Sequence, residues 1–227
     1  MPDGNALDDL VVILDLDGTL VDSAPDLAAA MNIVLEQEGL AAIPLNKVRH
    51  LVGHGARALL EKAFAIHGLA EQSPEKMEAC LSRFLAHYTA HIADQTRPFP
   101  GAEDMLETFS MRGAKLAICT NKREELTYPL LRGLKLIDHF DVVICRDTLP
   151  VYKPDPAPLL ACVSRSGASR GVMIGDTDTD LHAAMAARMP CLIARFGYGR
   201  HEEMDTKKAR FFDHFEEVPD LVLKVLK

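Results

Sequence analysis

The chain has 227 residues, 48% of them hydrophobic, which is enough for one large core or a core with a modest insert. A formal net charge of -8 excludes a protein built to bind a nucleic-acid backbone, which relies on clustered Lys and Arg, so any phosphate site must be local. Five cysteines (Cys80, Cys119, Cys145, Cys162, Cys191) are scattered without a C-x-x-C pair and without a secretory leader ahead of them, and the sequence therefore predicts a reduced, disulfide-free, cytoplasmic protein.

The first apolar run, Val11-Val12-Ile13-Leu14, is β-branched and ends on acidic and glycine residues, as a strand buried on both faces of a parallel sheet would. It stops at Asp15, far too short to cross a bilayer, and no membrane partner is expected. Similar runs at 116–119, 142–145, 172–174 and 191–194 are separated by helix-length segments at 124–134, 156–166 and 179–188. Repeated β-α-β units with right-handed crossovers predict an α/β fold, a Rossmann-like doubly wound parallel sheet with ligands beyond its C-terminal strand ends.

The first interval breaks this rhythm, because about a hundred residues separate Asp15 from Leu116 where a single helix would serve as crossover. Ser23-Ala24-Pro25-Asp26 reads as a helix start with Ser23 as capping residue, and Leu27, Met31, Val34 and Leu35 follow at helical spacing up to Gly39. Further helices are predicted at 56–66 and 74–91, and Arg97-Pro98-Phe99-Pro100-Gly101 reads as a hinge. Residues 22–96 are thus expected to form a small inserted α-helical cap, with 1–21 and 97–227 as the catalytic core.

Asp15 and Asp17, two apart at a strand end, are expected to point the same way in extended chain. If Asp176 and Asp180 reach the same edge, each pair of unit charges at a 4 Å separation costs about 4 kcal/mol at an effective dielectric of 20, and a cation is required. Hard oxygen ligands in this number suit Mg²⁺. Thr120 and Asn121 offer a hydroxyl and an amide, and Lys153 a compact positive charge, a set that can hold a phosphoryl group in line with an aspartate nucleophile.

Asp15-Leu16-Asp17-Gly18-Thr19-Leu20-Val21-Asp22-Ser23 resembles the first motif of the haloacid dehalogenase superfamily. Later motifs follow in order as Thr120-Asn121-Lys122, Lys153-Pro154-Asp155-Pro156 and Gly175-Asp176-Thr177-Asp178-Thr179-Asp180, so the resemblance spans nearly the whole chain. It implies Asp15 as nucleophile, Asp17 as general acid and then base, and a metal held by Asp15, Asp176, Asp180 and the Asp17 backbone carbonyl. It also implies Thr120 and Lys153 on the transferring phosphoryl group. Within the superfamily, Val52-Gly53-His54-Gly55-Ala56-Arg57, the segment around Pro154 and the tail from Phe212 resemble phosphoglycolate phosphatases. That implies a small phosphorylated metabolite as partner, 2-phosphoglycolate first, with His54 and Arg57 as cap contacts.

Competing readings are weaker. Asp176, Asp178 and Asp180 do not open an EF-hand loop, whose sixth position would be Leu181 instead of glycine and whose twelfth would be Ala187 instead of glutamate. His87 and His91 lack the glutamate and third ligand of a zinc site and read as solvated. Arg57 has a plain alternative in an i, i+4 pair with Glu61. Receiver-type signalling modules share the Asp, Thr and Lys set but are shorter and lack a cap, whereas phosphosugar mutases would use the same aspartates.

Overall fold

The computed structural model describes residues 7–53, 55–69, 71–200, 202, 204 and 208–226. Six parallel strands form the main sheet in the order β5-β4-β1-β6-β7-β8. They are β1 (Leu10–Leu14), β4 (Lys115–Cys119), β5 (Val142–Ile144), β6 (Arg170–Gly175), β7 (Cys191–Ala194) and β8 (Arg210–Phe212). The chain runs outward from β1 through β4 to β5, then returns to the other side of β1 for β6, β7 and β8. That reversal puts the topological switch point beside β1, where a crevice opens at the C-terminal strand ends.

All five residues of β1 are buried, and their alternation divides the core in two. Leu10, Val12 and Leu14 face one cluster together with Leu116, Ile118, Val172 and Ile174. Val11 and Ile13 face the other with Ala117, Cys119, Met173 and Ile193. This two-residue period on both faces is why the strands read as continuous apolar runs. The five cysteines are free and buried. No described helix is long and apolar enough to cross a membrane.

Between β1 and β4 the chain makes β2 (Val21–Asp22), four helices, β3 (Arg97–Pro98) and a further helix, α5 (Ala102–Met111). The four helices are α1 (Ala24–Gln37), α2 (Leu45–Arg49), α3 (Ala56–Ile66) and α4 (Pro74–Ala90). β2 and β3 pair antiparallel, so the outgoing and returning chains leave the core side by side. Helices α6 (Glu124–Gly133), α7 (Ala157–Ser166), α8 (Asp178–Ala186) and α9 (Val218–Val225) complete the layers around the sheet.

Two local expectations differ from what is found. The sixth strand, β8, has only three residues and begins on an exposed arginine, so it carries no apolar run to announce it. Ser23 stands at the N-cap position of α1 but makes no capping bond: its backbone is helical (φ -93°, ψ -4°) instead of extended, and its side chain points to Asp17, to which the hydroxyl donates.

Candidate active site

Four loops at the C-terminal edge meet beside β1. Asp15 follows β1 directly, and its backbone N–H donates to the Ile174 carbonyl at 2.9 Å, which fixes it at the strand end. Thr120 follows β4, Lys153 lies in the connection after β5, and Asp176 follows β6. Lys153 Nζ lies 3.0 Å from Asp15 Oδ1 and 2.6 Å from Asp180 Oδ1, with all three side chains nearly buried.

Asp180 is the third residue of α8, and its other oxygen accepts from the Thr177 hydroxyl at 2.8 Å and the Thr177 N–H at 3.1 Å, a capping box. A Cβ at Gly175 would collide with the Asp180 side chain, so glycine there lets the first turn of α8 fold back over the end of β6. Asp176 accepts from the Thr19 hydroxyl at 2.8 Å and from the Tyr198 N–H at 2.7 Å. Gly18, at φ +86°, turns the chain where a Cβ would stand 2.5 Å from Asp176 Oδ2, and it is thereby required twice over.

One oxygen from each of Asp15, Asp176 and Asp180 lies within 4.8 Å of the others. Burial raises the pKa of Asp176 well above the carboxylate range, with Asp180 and Asp15 adding repulsion. Asp15 is pushed up to about 6 by burial, against the attraction of Lys153. Burial works against the Lys153 ammonium too, but Asp15 and Asp180 outweigh it and hold it above the ordinary lysine value. Three buried carboxylates against one lysine leave surplus negative charge, and this hard-oxygen set fits a small divalent cation such as Mg²⁺.

The carboxylate of Asp17 stands apart from that cluster. β1 has ended at Leu14, so the two aspartates no longer share an extended strand, and Asp17 turns toward Ser23 and Lys122. Ser23 Oγ donates to Asp17 Oδ1 at 2.5 Å, and Lys122 Nζ lies 3.1 Å from each Asp17 oxygen. Lys122 also donates to Tyr88 Oη at 2.8 Å, a contact from the core loop to helix α4. Lys122 stands in the Thr120-Asn121-Lys122 motif, which by itself assigns it no role. The signal was a lysine directly after a strand-end Thr-Asn pair, beside a buried aspartate.

Asp15, Asp17, Thr120, Asn121 and Lys122 line a cavity of about 500 Å³ whose wall includes Leu27, Leu81, Phe84, Leu85 and Tyr88 from the inserted helices. Thr120 Oγ1 accepts the Lys122 N–H at 3.1 Å, and Asn121 Nδ2 donates to the Lys153 carbonyl at 3.0 Å. Arg57 reaches the cavity, but its guanidinium is bonded to Glu78 at 2.5 Å and not to Glu61, and both side chains are exposed. His54 lies outside the described residues.

The doubly wound sheet, the acidic floor at its switch point and the helical insert after the first strand define a Rossmann-like α/β enzyme. The chain belongs to the haloacid dehalogenase-like hydrolase family, whose model matches residues 12–194. It is 43% identical over 226 residues to a phosphoglycolate phosphatase of Caulobacter vibrioides, covering 97% of this chain and 93% of that one. It is 39% identical over 214 residues to a phosphoglycolate phosphatase of Rhodospirillum rubrum, covering 92% and 89%. The fold superposes with a TM-score of 0.85 on a crystal structure described as a predicted phosphoglycolate phosphatase from Haemophilus somnus, at 24% identity and covering 97% of this chain and 100% of that chain.

Proposed function

We propose that the protein is a Mg²⁺-dependent phosphatase that hydrolyses 2-phosphoglycolate through a phosphoryl group carried on Asp15. The observation that carries this reading is the 3.0 Å contact of Lys153 Nζ with Asp15 Oδ1 on the floor of a cavity that Asp17 also lines. The names of the relatives support the substrate.

In this reading a carboxylate oxygen of Asp15 attacks phosphorus, the bond to the glycolate oxygen breaks, and Asp17 gives its proton to that oxygen. Asp17 then takes a proton from water as the water oxygen attacks phosphorus, which frees inorganic phosphate and restores Asp15. Lys153 keeps Asp15 ionised and faces the charge on the phosphoryl oxygens. Thr120, whose oxygen already accepts the Lys122 N–H, keeps its own hydrogen for a phosphoryl oxygen. Asn121 spends its amide on the Lys153 carbonyl and serves to position that loop. Asp15, Asp176 and the Asp17 carbonyl would hold Mg²⁺, with Asp180 supporting them through Lys153. Bound there, the cation supplies neutralisation of phosphoryl charge. Residues 22–96 act as a cap that excludes water from the cavity.

A panel of phosphomonoesters assayed for phosphate release with Mg²⁺ tests the reading. The expected result is the highest kcat/KM for 2-phosphoglycolate. Preference for a sugar phosphate, or equal rates in chelator, would overturn it.

A further inference from the structure

Hydrolysis of 2-phosphoglycolate leaves open what recognises the end of the substrate that is not phosphate. The cavity wall supplied by the inserted helices is largely apolar, with Leu27, Leu81, Phe84 and Leu85 facing inward. A carboxylate brought against such a wall loses its hydration and must find donors there. At the rim, Arg57 is bonded to Glu78, Arg123 lies 3.4 Å from Asp147, and Arg146 stacks 3.7 Å from the centre of the Tyr152 ring.

Deeper in, Lys122 is a nearly buried ammonium with three N–H donors. The two Asp17 oxygens stand at the same 3.1 Å, so one shared N–H can serve both; Tyr88 takes a second, and one remains for the cavity. Tyr88 accepts its bond from Lys122, so its own O–H is still unspent among the described residues, although the ring is fully buried. An ammonium and a phenol, 2.8 Å apart in an apolar wall, are thus both able to donate into the same space.

Their distance from the chemistry fits a very small substrate. In 2-phosphoglycolate the carboxylate carbon is two bonds from the oxygen that Asp17 protonates, and Lys122 touches Asp17 itself. Lys122 and the Ser23 hydroxyl both contact Asp17, and while Asp17 carries the proton it gives to the leaving oxygen, the ammonium is left to the charge of the substrate carboxylate.

We infer that Lys122 and Tyr88 form the seat of the substrate carboxylate, making them the residues that select a phosphorylated α-hydroxy acid. The inference rests on the phosphatase reading above.

The test compares kcat/KM for 2-phosphoglycolate and for phosphoglycolamide, its neutral isostere, in wild type, Lys122→Met and Tyr88→Phe. The wild type should favour the acid. Lys122→Met should lose about ten- to a hundredfold on the acid and far less on the amide, the loss of a hydrogen-bonded charged contact. Tyr88→Phe should shift the same ratio in the same direction by about two- to tenfold, the loss of a neutral hydrogen bond. Inhibition by glycolate should weaken in both variants. Equal losses on acid and amide would make Lys122 a positioning residue for Asp17 and overturn the inference, as would unchanged glycolate inhibition. If Lys122→Met does not fold, Tyr88→Phe decides alone. A wild type that ignores both esters but hydrolyses others would overturn the substrate reading instead.

Discussion

Asp180 holds Lys153 with one carboxylate oxygen, at 2.6 Å, while the other caps the helix on which it sits. The third acidic residue of the last motif therefore acts on the aspartate that follows the first strand through a lysine. Asp180→Asn keeps the size and one acceptor but removes the charge, so Lys153 is left to Asp15 alone. We expect kcat to fall about ten- to a hundredfold, the usual cost of disturbing a supporting residue at a metal site. Asp180→Ala also strips the acceptor from the Thr177 hydroxyl and N–H, and should lower stability by a further 1 to 3 kcal/mol or so. Steady-state kinetics and urea unfolding separate the two effects. A wild-type kcat in folded Asp180→Asn would remove the link through Lys153.

The buried acidic cluster makes stability depend on pH in a direction that can be worked out. Asp15 has a folded-state pKa of about 6 against an ordinary value of 3.8, and Asp176 is raised as well. A carboxyl raised on folding favours the protonated native state, so its contribution to stability is present below the unfolded value and is lost as pH rises through about 6. Metal-free protein should therefore lose stability from these groups as pH rises from about 4 to about 7. On the proposed reading Mg²⁺ would bind the ionised carboxylates, so the rise in Tm that it causes should grow across that same window. Melting curves with Mg²⁺ and with chelator at several pH values check this, and a Mg²⁺-induced shift independent of pH would contradict it.

Strands and the loop that carries Asp15 were legible because their signals are local. Val11 to Leu14 is one apolar run ended by Asp15, and each later strand that was read has the same form. What was not legible depends on partners distant in the chain. Lys122, in the loop after β4, gains its place from Tyr88, 34 residues earlier on helix α4. For Arg57, the plain alternative to a cap contact is a pair with Glu61 one turn along its own helix, but α3 packs on α4 and Arg57 pairs with Glu78 instead. Ser23 occupies a capping position by sequence, yet its backbone is helical (φ -93°, ψ -4°) instead of extended, and the chain reversal at Gly18 brings Asp17 within reach to accept from its hydroxyl.

Asp15→Asn should abolish turnover, since an amide cannot serve as the nucleophile, while leaving the fold intact. Asp17→Asn should slow both half-reactions by about a hundredfold or more, with the larger effect on esters of poor leaving groups. Ser23→Ala should do less, because it removes a single hydrogen bond to Asp17; a loss of about tenfold or below is expected. Rates with p-nitrophenyl phosphate and with an alkyl phosphate give the contrast. Equal effects of Asp17→Asn on both would argue against its role as acid.

Asp26, in the first turn of α1, joins the outgoing and returning chains of the insert. Its buried carboxylate accepts from the Gln95 N–H at 3.1 Å, the Thr96 N–H at 2.8 Å and the Thr96 hydroxyl at 2.7 Å. These backbone groups lie just before β3 and have no helix of their own to satisfy them. Asp26→Ala would leave two N–H groups and a hydroxyl without their acceptor in a place where water has little access, at a cost of about 1 to 3 kcal/mol for each one that stays unsatisfied. Asp26→Asn keeps one acceptor oxygen and should lose less. None of these contacts touches Asp15, Lys153 or the acidic cluster, so the folded fraction should turn over with a kcat near wild type at temperatures well below its Tm. Urea unfolding beside kcat measurements decides the point: a fall in kcat with unchanged stability would make Asp26 part of the closing motion of the insert instead of a clamp on its base.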